Sequence, residues 1–411
     1  MSLDFEKKLD QYAELVVKVG VNLHKGQKLL ILAPIEAADF TRRIVKCAYK
    51  NGCSRVVVDW RDTPTSRIHI EEAPEETLKS IPQWDINRFK SFVDDHDCVI
   101  NLLSDDPKAF EGVDPKRLMM MSRAQGEHLG FFQDAKLTSH IHWTIIGVPT
   151  AAWATAVFPG KSEPDAIAAL WEAIFRATRI DQVDPIQNWH DHDKQLKEKV
   201  EKLNAYHFKT LHYKSAKTDL SIDLHPDHIW VGGSMHSTIG HTYIVNMPTE
   251  EVFTAALKTG VNGTVASTKP LSAMGNLIEN FSMTFENGKV VSFQAEKGEE
   301  ALRQLLEIDD GMKFIGEVAL VPHDSPISNT GITFMNTLYD ENASCHLAIG
   351  AAIIDNVKDA KGLSKEALDE KGINQSKGHI DFMIGSDDLD IDGETAQGER
   401  IPVFRDGNWT I

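Results

Sequence analysis

Four short apolar runs punctuate the first half of this chain, and they constrain its fold more than any other feature. KLLILA (28–33), RVVVDW (55–60), CVINLLS (98–104) and WTIIGVP (143–149) are largely β-branched or aliphatic and separated by stretches with helical spacing. Leu9, Tyr12, Ala13, Val16 and Val17 mark one helical face, and Glu36–Asn51 reads as a helix stopped by Gly52. A strand apolar on both faces has to be covered on both, and helices between successive strands provide that cover in a parallel sheet. The pattern predicts an α/β N-terminal domain with a mostly parallel sheet. It contains neither GxGxxG nor GxxxxGKS/T, so no motif there points to a nucleotide.

A helical passage follows, first Ala166–Arg179 and then Pro185–Tyr206, whose thin apolar stripe (Trp189, Leu196, Val200, Leu203) suits a connector. A boundary near residue 185 divides the chain into 1–185 and 186–411. Beyond residue 208 the period changes to two, as in TLHYKS and DLSIDLH. FSMTFE and KVVSFQA flank Asn287-Gly288, the strongest two-residue hairpin signal. GEVALVP (316–322) and HIDFMIG (379–385) read as further strands, and Glu299–Ile308 as a helix. The second half is expected to be an α+β domain rich in antiparallel strands, and to carry the chemistry.

Composition narrows the partners. Sixty-one acidic residues against 43 basic ones give a net charge of −18, which repels nucleic acid and anionic membrane and tolerates cations. Cys47, Cys53, Cys98 and Cys345 form no CxxC pair and read as free thiols of a reducing compartment. Residues 137–160 lack Asp, Glu, Lys and Arg, but Gly147, Pro149 and two histidines break the run into a strand, a turn and a short helix. With no apolar signal core at the N-terminus, a cytoplasmic, soluble protein is expected.

Hydrolase motifs of the GxSxG and HExxH types are absent. The string His190-Asp191-His192-Asp193 looks metal-like. On a helix, however, residues i and i+2 lie about 200° apart, so the four groups cannot converge and are expected on a solvated surface. The second half offers more. NMPTEE ends in Glu250 and Glu251, GEVALVP carries Glu317, NTLYDENASCH carries Glu341 and His346, and HID places His379 and Asp381 on one strand face. Two imidazoles with several carboxylates from strand ends suit a pair of divalent ions, one carboxylate bridging them. The same residues also fit a half-buried, hydrogen-bonded His379 and a helix first turn at Glu250 and Glu251.

Five of these segments, NMPTEEVFTA, STKPLSAMGNLIENF, GEVALVPHDSPIS, NTLYDENASCHLAIG and HIDFMIGSDDLDIDG, resemble in order the signature blocks of the aminopeptidase T, aminopeptidase S and PepS family of metallo-aminopeptidases. The resemblance implies a cytoplasmic homodimer that removes N-terminal residues from short peptides with a free N-terminus. It implies two divalent ions per subunit, zinc or cobalt first, magnesium or manganese next. Carried over by motif, the metal ligands are Glu251, Glu317, Glu341, His346, His379 and Asp381. Glu250, beside a ligand, is the candidate for moving a proton.

Two positions depart from the family. Ile353 stands where the family has a tyrosine seven residues after the DENASCH histidine, and the TAP continuation after EEVF is altered around Ala255-Ala256-Leu257. The first departure keeps open a catalytically impaired metal- or peptide-binding homologue; a metal-dependent dipeptidase or amidase is a third reading. Trp143, Trp153, Trp171 and Trp230 read as core anchors, and Trp409 as the anchor of the C-terminal strand. Lys269 in STKPLS fits either a structural role or contact with substrate.

Overall fold

A computed structural model describes residues 3–104, 106, 109–273 and 276–411, and the chain forms two compact units. The first runs to His190 and takes in Ser234–Pro248; the second comprises Asp191–Gly233 and Thr249–Ile411. The chain thus passes between units at three places, where the sequence pattern suggests one near residue 185.

In the first unit, β1 (Lys28–Pro34), β2 (Arg55–Arg61), β3 (Cys98–Leu103) and β4 (His142–Gly147) form the parallel sheet that the apolar runs require. β1 is central, and Leu29–Ala33 are all buried. One face packs Leu30, Leu32 and Val99 against Phe89, Phe92 and Phe132 from the helices Gln83–Asp94 and Pro115–Leu137. Elsewhere in this unit Tyr12 stacks on Phe40 at 5.2 Å, with Trp171 and Phe175 beside them. The helix Ala38–Lys50 ends at Asn51-Gly52, and Gly52 takes φ +87°, the left-handed conformation in which glycine costs least.

The fifth strand, Asn246–Met247, adds parallel to β4 from the far end of a long excursion. Two residues leave no periodic signature, which is why the sequence pattern misses this return. The charge-free run becomes β4 and the short helix Ala151–Val157; no helix among the described residues is long and apolar enough to cross a membrane.

The second unit is built on an antiparallel sheet. From one edge its strands run His379–Met383, His346–Gly350, Ile315–Leu320, Val252–Ala266, Asp219–Leu224, Thr210–Lys214, Asp390–Glu394, Arg400–Arg405 and Asn408–Trp409. The hairpin Asn276–Glu286/Lys289–Lys297 turns at Asn287 and Gly288, both with positive φ, as the dipeptide predicts. Only glycine fits there, because a Cβ on residue 288 would lie 1.8 Å from the Lys258 carbonyl oxygen. The core joins Phe208, Tyr213, Trp230, Phe281, Phe285, Phe382 and Phe404, and Trp409 packs on Phe404 at 4.4 Å.

Candidate metal centre

The register of three neighbouring strands gathers the site. Glu317 lies opposite Ala348, and Ala348 opposite Asp381, so the three form one row across the sheet. Alternation then places His346, two residues before Ala348, and His379, two before Asp381, on the same face. On the other side of Glu317 the row continues to Ala255, and the same alternation brings Glu251 to this face at the strand's start. Both alanines are buried and offer only a methyl group. Between the larger polar side chains they leave a floor on which the carboxylates and imidazoles can meet. A bulge between Ile315 and Glu317 sets the pairing, and Gly316 makes it possible: a Cβ there would stand 2.4 Å from the Gly350 carbonyl oxygen.

Two triplets of donor atoms result, Glu251–Glu317–His346 and Glu317–His379–Asp381, each with its atoms within 4.8 Å of one another. Glu317 belongs to both. His346 Nε2 lies 3.2 Å from Glu251 Oε2 and 3.9 Å from Glu317 Oε1. His379 Nε2 lies 3.4 Å from Glu317 Oε2 and 3.3 Å from Asp381 Oδ1. Glu341 stands close enough for its charge to act on Glu251, Asp381, His346 and Glu317, although it completes neither triplet. The side-chain exposures form a gradient, from 1% at His346 and 6% at Glu317 to 31% at His379, so the cluster opens on the His379 side.

The residues fit divalent cations on three counts. First, each imidazole commits Nδ1 to a backbone carbonyl, His346 to Ser344 at 3.2 Å and His379 to Ala351 at 2.7 Å, which leaves Nε2 aimed into the cluster. Second, Glu317 Oε2 is buried without a hydrogen bond; the His379 nitrogen is near but misaligned. Third, four carboxylates share a pocket with no lysine or arginine in ion-pair contact among the described residues, so no side-chain cation relieves their repulsion. Burial, then the Asp381 and Glu251 charges, push Glu317 up to about 8. Burial and the Glu251 charge hold Glu341 well above the usual carboxylate range. Burial alone would lower both imidazoles, but the Glu251 carboxylate raises His346 to about 10, and Asp381 raises His379 to about 10. Cys345, next to His346, stays out of the cluster: its thiol exchanges hydrogen bonds with the Val321 backbone.

Other expectations need correction. Glu250 and Glu251 do not open a helix; they precede the strand Val252–Ala266. His379 is hydrogen-bonded and part-exposed as the simpler reading has it, but Nε2 still faces Glu317 and Asp381. Glu250, the candidate proton carrier, lies 3% exposed with its carboxylate 3.4 Å from His192 Nε2. His192 is therefore not on a solvated surface. It is buried, with Nε2 2.8 Å from the Thr249 carbonyl oxygen, while His190 and Asp191 are exposed. The helical geometry that separates these residues is also what turns His192 inward. Asn342 is a further residue that spacing misses. Fully buried, it accepts the Glu250 backbone N–H at 2.8 Å and donates to Leu338 O at 3.0 Å and to Glu341 Oε1 at 3.4 Å.

Fold and site together define a two-unit protein with a candidate metal centre on its antiparallel sheet. The chain belongs to the thermophilic metalloprotease (M29) family, whose sequence model matches residues 5–409, and is a hydrolase of that class. It is 47% identical over 407 residues to aminopeptidase AmpS of Bacillus subtilis, with 99% of each chain covered. It is 42% identical over 410 residues to aminopeptidase T of Thermus thermophilus, again over 99% of both chains. To aminopeptidase PepS of Streptococcus thermophilus it is 37% identical over 409 residues, also over 99% of both. Among solved structures, wild-type AmpT from Thermus thermophilus matches with a TM-score of 0.93 at 40% identity, over 99% of this chain and 100% of that one.

Proposed function

We propose that this protein is a metal-dependent aminopeptidase acting on short peptides with a free N-terminus. Two divalent cations would be held by Glu251, Glu317 and His346 on one side and by Glu317, His379 and Asp381 on the other, with Glu341 beside both. The observation that carries this reading is the position of Glu317, whose two carboxylate oxygens face different histidines. When bound, such cations polarise a scissile carbonyl and make hydroxide available from water near neutral pH.

The chain's own residues supply the rest. The imidazoles are oriented by backbone carbonyls, so that ligand geometry is set before a cation arrives. The floor of the cluster is closed to water at His346, and substrate enters on the His379 side. A carboxylate left over from the cations would favour the free ammonium of a peptide over a blocked N-terminus. Glu250, turned to His192, acts as a positioning residue: its backbone is pinned by Asn342 and it presents Glu251. An imidazole-and-carboxylate donor set without thiolate suits zinc, cobalt or manganese better than copper(I). A cytoplasmic homodimer, which the resemblance of the sequence blocks implies, is part of the proposal.

The test is exhaustive chelation followed by assay on a free dipeptide and its N-acetyl form. Loss of cleavage on chelation, recovery with added zinc, cobalt or manganese, and rejection of the acetylated peptide support the proposal. Cleavage that survives chelation, or equal cleavage of both peptides, contradicts it.

A further inference from the structure

Lys269 lies in the second unit just beyond the strand Val252–Ala266, and its neighbours tie it to the cluster. The backbone N–H of Thr268 donates to the Met383 carbonyl at 2.9 Å, at the end of the strand that carries His379 and Asp381. The Lys269 side chain lies within the electrostatic reach of Asp340, the residue immediately before Glu341. The ammonium is part-buried, yet it makes no hydrogen bond or ion pair with any described residue. Asp340 does not take that place: its carboxylate accepts the backbone N–H groups of Phe334 at 2.8 Å and Asn336 at 3.1 Å and makes no ion pair with the lysine. Burial pulls the lysine below its ordinary value, and Asp340 only partly offsets this.

A part-buried ammonium without a partner is costly in the free protein, and an anion delivered from outside offsets the cost. A short peptide brings one. Its ammonium suits the acidic cluster, and its terminal carboxylate needs a cationic side chain at the other end of the site.

Resting on the aminopeptidase reading above, we propose that Lys269 binds the C-terminal carboxylate of the peptide and makes this site selective for di- and tripeptides. Lys269 is then a substrate-binding residue that sets length preference, while the acidic cluster recognises the opposite end.

The experiment measures binding, so that it does not depend on turnover. A dipeptide isostere with CH2–NH in place of the peptide bond is titrated calorimetrically into the metal-loaded full-length protein, as the free acid and as the C-terminal amide. The acid is expected to bind at least tenfold more tightly than the amide. Lys269→Met should bring the two within twofold of each other, and Lys269→Arg should keep most of the difference. A third ligand, with an amidated C-terminus and a glutamate side chain, separates a terminal from a side-chain carboxylate; binding as tight as the free acid overturns the assignment to the terminus. Equal affinity of acid and amide for the wild-type protein, an unchanged ratio in Lys269→Met, or no binding of either isostere also overturns it. Failure of the aminopeptidase reading looks different: the acid binds through Lys269, but the parent dipeptide is not cleaved.

Discussion

The side-chain oxygen of Asn342 accepts the backbone N–H of Glu250 at 2.8 Å, and so ties the turn that presents Glu251 to the turn that presents Glu341. Both partners are buried, so removing the acceptor leaves an N–H with neither water nor protein to bond. Asn342→Leu, similar in size, should destabilise the second unit by about 1–3 kcal/mol. It should also weaken metal binding by about 10–100-fold, the usual effect of losing a residue that orients ligands. Urea unfolding and calorimetric metal titration check the two effects separately; a loss of stability with metal affinity intact would make Asn342 purely structural.

Glu317 is predicted to matter to both halves of the centre. Glu317→Gln keeps size and shape but removes the charge shared by the two triplets. Metal content by mass spectrometry should fall below one ion per chain, while Asp381→Asn, which touches one triplet only, should leave about one. Equal metal content in the two variants would argue against a shared carboxylate.

Ile353 bears on rate more than on metal binding. It lies two residues beyond Ala351, whose carbonyl orients His379. Ile353→Tyr adds a phenol at the family's tyrosine position, and kcat should rise, by up to about 10²-fold if the hydroxyl acts as one oxyanion donor. KM and metal content should change little. An unchanged kcat would mean that another group already supplies that stabilisation.

The first unit carries its own pH dependence. His142 is fully buried, with Nδ1 2.9 Å from the Val21 carbonyl oxygen and Nε2 3.0 Å from Ser237 Oγ. Burial, then the nearby His24 and His241, pull its pKa down to about 4, against only partial help from the Val21 carbonyl. Folded His142 therefore resists a proton that the unfolded chain takes up at about 6.5. Its contribution is fully present above pH 6.5 and is lost as pH falls toward 4, at most about 3 kcal/mol. The urea midpoint of wild-type protein should drop more steeply between pH 7 and pH 4.5 than that of His142→Gln. Parallel curves would contradict this.

How much of this is legible in the sequence depends on the length of the signal. KLLILA and its partners are continuous enough to define a parallel sheet, and Asn287-Gly288 fixes its hairpin because only two positive φ angles complete that turn. The six acidic and imidazole residues stand out in the sequence, but Glu317 and Asp381 lie within their strands rather than at the ends, and five of the six enter the two triplets. The row Ala255–Glu317–Ala348–Asp381, however, depends on register and on the bulge at Gly316, which single strands do not reveal. Asn246–Met247 is too short to show a period. His192 is hidden by a correct argument taken too far: residues two apart on a helix point apart, so one of the four was bound to face inward. Asn342 gives no signal at all, since its role consists of hydrogen bonds between two loops.

The most direct measurement of the central claim is anomalous diffraction from crystals soaked in zinc or cobalt. Two peaks are predicted, one among Glu251, Glu317 and His346 and the other among Glu317, His379 and Asp381, with the Glu317 carboxylate between them. A single peak away from Glu317, or none under conditions in which the protein cleaves peptides, would contradict it.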